Sequence, residues 1–195
     1  WSLGAGPWIG PDVDPACIRL LGSGTGIQIT QCRFEHVNLP IRLKAVGSSD
    51  ALRDLLISDN DIRYTDHGAI AVEDGCDWGK VLPPMGRLYD LRILRNRLAH
   101  VGMRPNRFGQ GHAIMVQNAE RLEVAGNMLD RCWGSGIFVF GAKRSGAVSD
   151  RPLSRLLIHH NKVTNSMLNT NDWGGIETWQ GGPAYVYNNI SGNPG

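Results

Sequence analysis

One signal recurs along this chain and leaves few folds open to it: an apolar residue, a second two positions on, an asparagine three further, and an apolar residue two beyond that. It reads Leu55, Ile57, Asn60, Ile62; then Leu91, Ile93, Asn96, Leu98; then Leu122, Val124, Asn127, Leu129; then Leu156, Ile158, Asn161, Val163. An opening copy, Ile27, Ile29, Cys32, Phe34, carries cysteine at the asparagine position, and a degraded closing copy reads Tyr185, Asn188, Ile190. After a gap of variable length a second short apolar segment follows, at residues 40–43, 69–72, 113–116, 136–139 and 175–178. Self-similarity of this kind marks a repeat architecture and sets ordinary globular topologies aside.

Within each copy the apolar residues stand two apart, which is strand periodicity, and helical spacing fits none of them. Strands this short cannot each bury a face alone. Stacked coils can, because Ile29, Ile57, Ile93, Val124, Ile158 and Tyr185 then form one interior column, and Phe34, Ile62, Leu98, Leu129, Val163 and Ile190 the next. A buried asparagine needs partners, since an unsatisfied amide costs about 1 to 3 kcal/mol. Stacking supplies them: Asn60, Asn96, Asn127 and Asn161 at one bend can bond to each other and to turn backbone. Asparagine also tolerates the left-handed conformation that a sharp bend requires.

These features resemble the right-handed parallel β-helix superfamily, the pectate-lyase-like fold, from Ile18 to the C-terminus. The fold expectation is an all-β, right-handed parallel β-helix of about five to six coils. Residues 1–17, rich in glycine and proline, read as an irregular lead-in or cap, and residues 18–195 as the solenoid. The closing copy stops without its second strand, which would leave an open solenoid end, so the chain reads as part of a longer protein.

Composition narrows the function. A net charge of +2 arises from interspersed signs without a basic block, which gives nucleic acid no electrostatic support. No apolar run is long enough to span a bilayer as a helix, so no membrane insertion is expected. Cys17, Cys32, Cys76 and Cys132 form no C-x-x-C pair, and neither a metal nor a cofactor is expected. Cys32 and Cys132 read as small buried side chains, while a disulfide at Cys17 or Cys76 stays open.

The gaps that lengthen lie on both sides of the second strand, at residues 101–111 and 164–173 before it and 74–86 and 141–152 after it. Long loops on a rigid scaffold carry function. They would wall a groove floored by the outward face of that strand: Arg42 and Lys44, Ala71 and Glu73, Met115 and Gln117, Phe138 and Phe140, Glu177 and Trp179. An exposed apolar strip of this kind, interleaved with Glu, Gln and Lys, suits sugar rings. The competing reading folds loop 141–152 over Phe138 and Phe140 as a satellite core. At the lip stand Asp66 and His67, His112, and Asp172; the competing reading of both histidines is a turn residue bonded to backbone, and that of Glu73 an ion pair with Lys44.

Glycoside hydrolysis needs two carboxyl groups across the scissile bond. Glu73 and Glu177 are three rungs apart, which is too far, so Asp172 and Glu177 are the catalytic candidates. Binding candidates are Glu73, His67, His112, Gln117, Phe138, Phe140, Trp173, Trp179 and Arg104. The segment Asp172-Trp173-Gly174-Gly175-Ile176-Glu177-Thr178 is similar to the D-x-G-G-I-Y-T motif of family 141-like glycoside hydrolases, with Glu177 in place of the tyrosine. The expectation is a secreted or extracellular protein with a polysaccharide or oligosaccharide substrate. The alternatives are a polysaccharide lyase with His67, His112, Arg104 or Lys44 as base, and a non-catalytic glycan-binding or adhesive solenoid.

Overall fold

The computed structural model describes residues 16–73, 86–104, 111–141, 155–169, 173–179 and 184–192. All its elements there are strands, in three parallel sheets visited in rotation. Sheet I holds β2 (Gly24–Thr25), β3 (Gln28–Thr30), β6 (Ala51–Ser58), β9 (Arg87–Leu94), β12 (Ala119–Ala125), β15 (Leu156–His159) and β18 (Ala184–Tyr187). Sheet II holds β4 (Arg33–Val37), β7 (Asp61–Thr65), β10 (Arg97–Val101), β13 (Met128–Cys132), β16 (Lys162–Thr164) and β19 (Ile190–Gly192). Sheet III holds β1 (Ile18–Leu21), β5 (Ile41–Lys44), β8 (Ile70–Glu73), β11 (Ile114–Gln117), β14 (Ile137–Phe140) and β17 (Ile176–Trp179). Each strand pairs with its equivalent one coil away, so the molecule is an all-β parallel β-helix solenoid of about six coils.

The local rule behind the coil is a count. In the second coil the buried inward residues are Leu52, Leu55, Ile57, Asn60, Ile62 and Thr65, in alternating steps of three and two. Every step of three spans one residue with positive φ: Asp54 at 51°, Asp59 at 57° and Tyr64 at 54°. The third coil repeats this with Asp90, Arg95 and His100, the fourth with Arg121, Gly126 and Arg131. A left-handed residue turns the chain and adds one position to the pleat, so the next strand again points its apolar residues inward. Each costs a non-glycine residue about 1 to 2 kcal/mol. The apolar core that the corners close offsets this cost.

The asparagine ladder is where the sequence placed it. Asn60, Asn96, Asn127 and Asn161 are all buried at the corner between sheets I and II. Asn60 Nδ2 donates to Asn96 Oδ1 at 2.9 Å, Asn96 Nδ2 to Asn127 Oδ1 at 3.0 Å, and Asn127 Nδ2 to Asn161 Oδ1 at 2.9 Å. Each Nδ2 also donates backwards to a backbone carbonyl, those of Ile29, Ile57, Ile93 and Val124 in turn. Each Oδ1 additionally accepts the backbone N–H of the residue at the equivalent position one coil earlier, Cys32 in the first case. Both hydrogens of every Nδ2 are thereby donated, and each Oδ1 from Asn96 onward accepts two hydrogens.

Three expectations need correction. The ladder asparagines do not hold the left-handed conformation; the residue before each does, namely Asp59, Arg95, Gly126, His160 and, before Asn189, Asn188, as does Gln31 before Cys32. The closing copy is shifted by one: Ile158 pairs with Val186 and Lys162 with Ile190, so Val186 and Ser191 continue the two columns and Asn189 continues the ladder. Cys132 is fully buried, its thiol pushed up to about 12 chiefly by that burial, but Cys32 in the first coil is only half-buried and its Sγ–H meets Thr30 O at 3.3 Å. Cys17, Cys32 and Cys132 are free thiols, and Cys76 lies outside the described residues.

Candidate functional site

The outward face of sheet III has the register read from the sequence. Arg42 pairs with Ala71, Lys44 with Glu73, Met115 with Phe138, Gln117 with Phe140, Phe138 with Glu177 and Phe140 with Trp179. Period 2 therefore puts these side chains on one face, opposite the buried Ile41, Leu43, Ile70, Val72, Ile114, Val116, Ile137 and Val139.

That face is not a bare aromatic strip. Phe138 is 2% exposed and Phe140 5%. The two rings stack at 4.9 Å, His112 stacks on Phe138 at 4.6 Å, and Trp173 meets Phe138 edge-on at 5.0 Å and His112 at 5.6 Å. Trp179 meets Trp173 at 6.4 Å. Phe138 is thus the centre of a small outer core, with His112 and Trp173 packed against it and Phe140 stacked beside it. Loop 141–152, the cover expected for both rings, lies outside the described residues beyond Gly141. Met115, Trp173, Glu177 and Trp179 keep intermediate exposure.

His112 is built into this outer core. Its Nδ1 accepts the backbone N–H of Ser135 at 3.1 Å, which leaves the ring proton on Nε2. Burial, then the nearby His67, pushes its pKa down to about 3, so the ring is neutral at physiological pH. The backbone contact is the one foreseen for a turn histidine. The sequence reading missed what holds it there: three glycines let the backbones touch. A Cβ on Gly102 would lie 2.4 Å from Gly111 Cα, and one on Gly134 2.9 Å from His112 N. Gly134 N–H donates to Gly111 O at 3.1 Å. Gly102, the Gly111 just before His112, and the glycine in Trp133-Gly134-Ser135 were the available signal.

At the other end of the face, the cross-rung ion pair forms with a different cation than expected. Glu73 Oε1 accepts from Arg42 Nη1 at 2.7 Å, both side chains being more than nine-tenths buried. Lys44, one rung from Glu73 and also buried, is engaged as well. Gln117 is buried and hydrogen-bonded or otherwise in contact, and His67 is half-buried. At the lip, Arg104 Nη2 donates to Asp66 Oδ2 at 2.8 Å, with both side chains about half exposed.

Glu177 Oε2 accepts the backbone N–H of Gly174 at 2.6 Å, which closes the turn after Trp173 and, among the described residues, leaves Oε1 available. Trp173 itself has φ 137°, inside the range that disfavours a side chain. Glu177 thereby helps hold Trp173 against Phe138. Asp172, the other catalytic candidate, lies outside the described residues.

Comparison with family models, with curated proteins and with solved structures finds no match for this chain. The class is defined by the fold: a parallel β-helix solenoid with a second, aromatic core laid against the outside of one sheet.

Proposed function

We propose that this solenoid is a carbohydrate-active member of the pectate-lyase-like superfamily and that it hydrolyses glycosidic bonds. The observation that carries this reading is Glu177, a half-exposed carboxylate anchored through one oxygen by Gly174 N–H and flanked in the chain by Trp173 and Trp179. Indole rings give apolar faces on which a sugar ring stacks, and a fixed carboxylate with a free oxygen supplies general acid–base or nucleophilic chemistry. Asp172 is the second carboxyl group in this scheme. Neutral His112 contributes an Nε2–H donor for a hydroxyl or ring oxygen.

A lyase reading fares worse on the same residues. Proton abstraction works best with a base whose pKa lies near the operating pH. His112 falls to about 3, and Arg104 is tied to Asp66.

Turnover should be screened on neutral and uronic polysaccharides with reducing-end and ultraviolet readouts. Hydrolysis with no unsaturated product is expected, and Glu177→Gln should lower it about 10²- to 10⁴-fold with the fold intact. Unsaturated products would favour the lyase, and binding without turnover the non-catalytic solenoid. Full activity in folded Glu177→Gln would remove the assignment.

A further inference from the structure

Resting on the saccharide reading above, we infer that the sugar unit bound against Trp173 and Glu177 is uncharged: the geometry selects neutral sugars and rejects uronates. Three observations support this. The carboxylate of Glu177 lies in the turn that places Trp173, so a uronate stacked there brings a second negative charge to the same place. The ring of His112, which meets Trp173 edge-on at 5.6 Å, is neutral and offers an N–H without a charge. The described cations of this face are committed: Arg42 to Glu73 at 2.7 Å, Arg104 to Asp66 at 2.8 Å, and Lys44 to partners of its own. Recruiting any of them for a uronate would break an existing contact, and for Arg42 would strand a buried Glu73. Neutral hydroxyls avoid this conflict. They accept from Nε2–H of His112 and donate to the free oxygen of Glu177.

The test uses linkage-matched oligosaccharide pairs, galactan against galacturonan and glucan against glucuronan, with binding measured by calorimetry on the intact chain at 20 mM and 500 mM NaCl. The expected result is a neutral member bound at least tenfold tighter than its uronate at low salt. The gap should narrow as salt rises, because screening relieves repulsion. Glu177→Gln should narrow it further by improving uronate binding. A uronate bound tighter than its neutral partner, and released by salt, would overturn the inference while leaving a saccharide site standing. Binding of neither member of any pair would overturn both. The salt dependence of the parent protein decides the matter even if Glu177→Gln does not fold.

Discussion

Asn127→Leu replaces a polar side chain in the middle of the core by an apolar one, and a burial argument alone would predict a gain. The hydrogen bonds predict a loss. Asn127 Oδ1 accepts the backbone N–H of Asn96 at 2.9 Å and Asn96 Nδ2 at 3.0 Å, while its own Nδ2 reaches Ile93 O at 2.9 Å and Asn161 Oδ1 at 2.9 Å. Three of these partners keep another bond: Asn96 Nδ2 still donates to Ile57 O, Asn161 Oδ1 still accepts Asn127 N–H, and Ile93 lies in a paired strand. The N–H of Asn96 has its acceptor in Asn127 alone and is orphaned, at about 1 to 3 kcal/mol. Fitting the larger leucine adds about 1 to 3 kcal/mol of overpacking, which its extra apolar area only partly offsets. A net loss of about 3 kcal/mol follows, or roughly 6 to 12 °C in melting temperature for a chain of this size. Asn189→Leu is the control. Asn189 is only partly buried, so water can replace its bonds to Asn161 and Ile158, and the loss there should be about 1 kcal/mol or less. Melts by circular dichroism read both. A melting point for Asn127→Leu within 2 °C of the parent, or equal losses at the two sites, would refute the reasoning.

Other perturbations separate further parts of the structure. His112 has its folded pKa lowered from 6.5 to about 3, so the unfolded chain binds the extra proton in that window; stability is full above pH 6.5 and falls as pH drops toward 3. Its share is about 2 kcal/mol between pH 7.5 and pH 5, and urea titrations of His112→Gln should show that much less pH dependence than the parent. Gly102→Ala should cost more than about 2 kcal/mol, because φ is +77° and the new Cβ meets backbone, whereas Gly26→Ala, at φ +69° in open space, should cost about 1 kcal/mol. Glu73→Ala strands a buried Arg42 and should cost about 3 to 5 kcal/mol, while Arg104→Ala at the exposed pair should stay within about 0.5 kcal/mol; comparative denaturant midpoints check both.

What was legible in the sequence was whatever repeats from coil to coil. The three-then-two spacing from Ile57 to Asn60 to Ile62 is a direct image of the inward positions, and it placed the ladder and the register of sheet III. The corners were not legible, because of the nine left-handed corner residues named above for the second to fourth coils eight are Asp, Arg, Tyr or His and one, Gly126, is glycine. Stacking imposes that conformation, so no local composition announces it. The closing copy failed for a related reason. Tyr185-Val186-Tyr187-Asn188-Asn189 fits the pattern in two phases one residue apart, and only the bonds from Asn161 to Asn189 choose between them. The outer core was half legible. Phe138 and Phe140 were found, but the ring that closes over Phe138, Trp173, lies outside the repeat and reaches it through the Gly174–Glu177 turn. Arg42 and Lys44 share a face two residues apart, and the sequence could not say which would take Glu73.

The ladder has a direction. From Asn60 through Asn96, Asn127 and Asn161 to Asn189, every Nδ2-to-Oδ1 bond points the same way along the axis, and the backbone N–H bonds to the same oxygens point with it. The amide dipoles therefore add head to tail, and each bond polarises the next. The solenoid is in this sense a wire with two unlike ends. At each ladder corner, a coil presents Oδ1 to the coil before it and N–H groups to the coil after it. A coil inserted upside down would set donor against donor at one junction and acceptor against acceptor at the other, so the ladder fixes the orientation of every coil as well as its height.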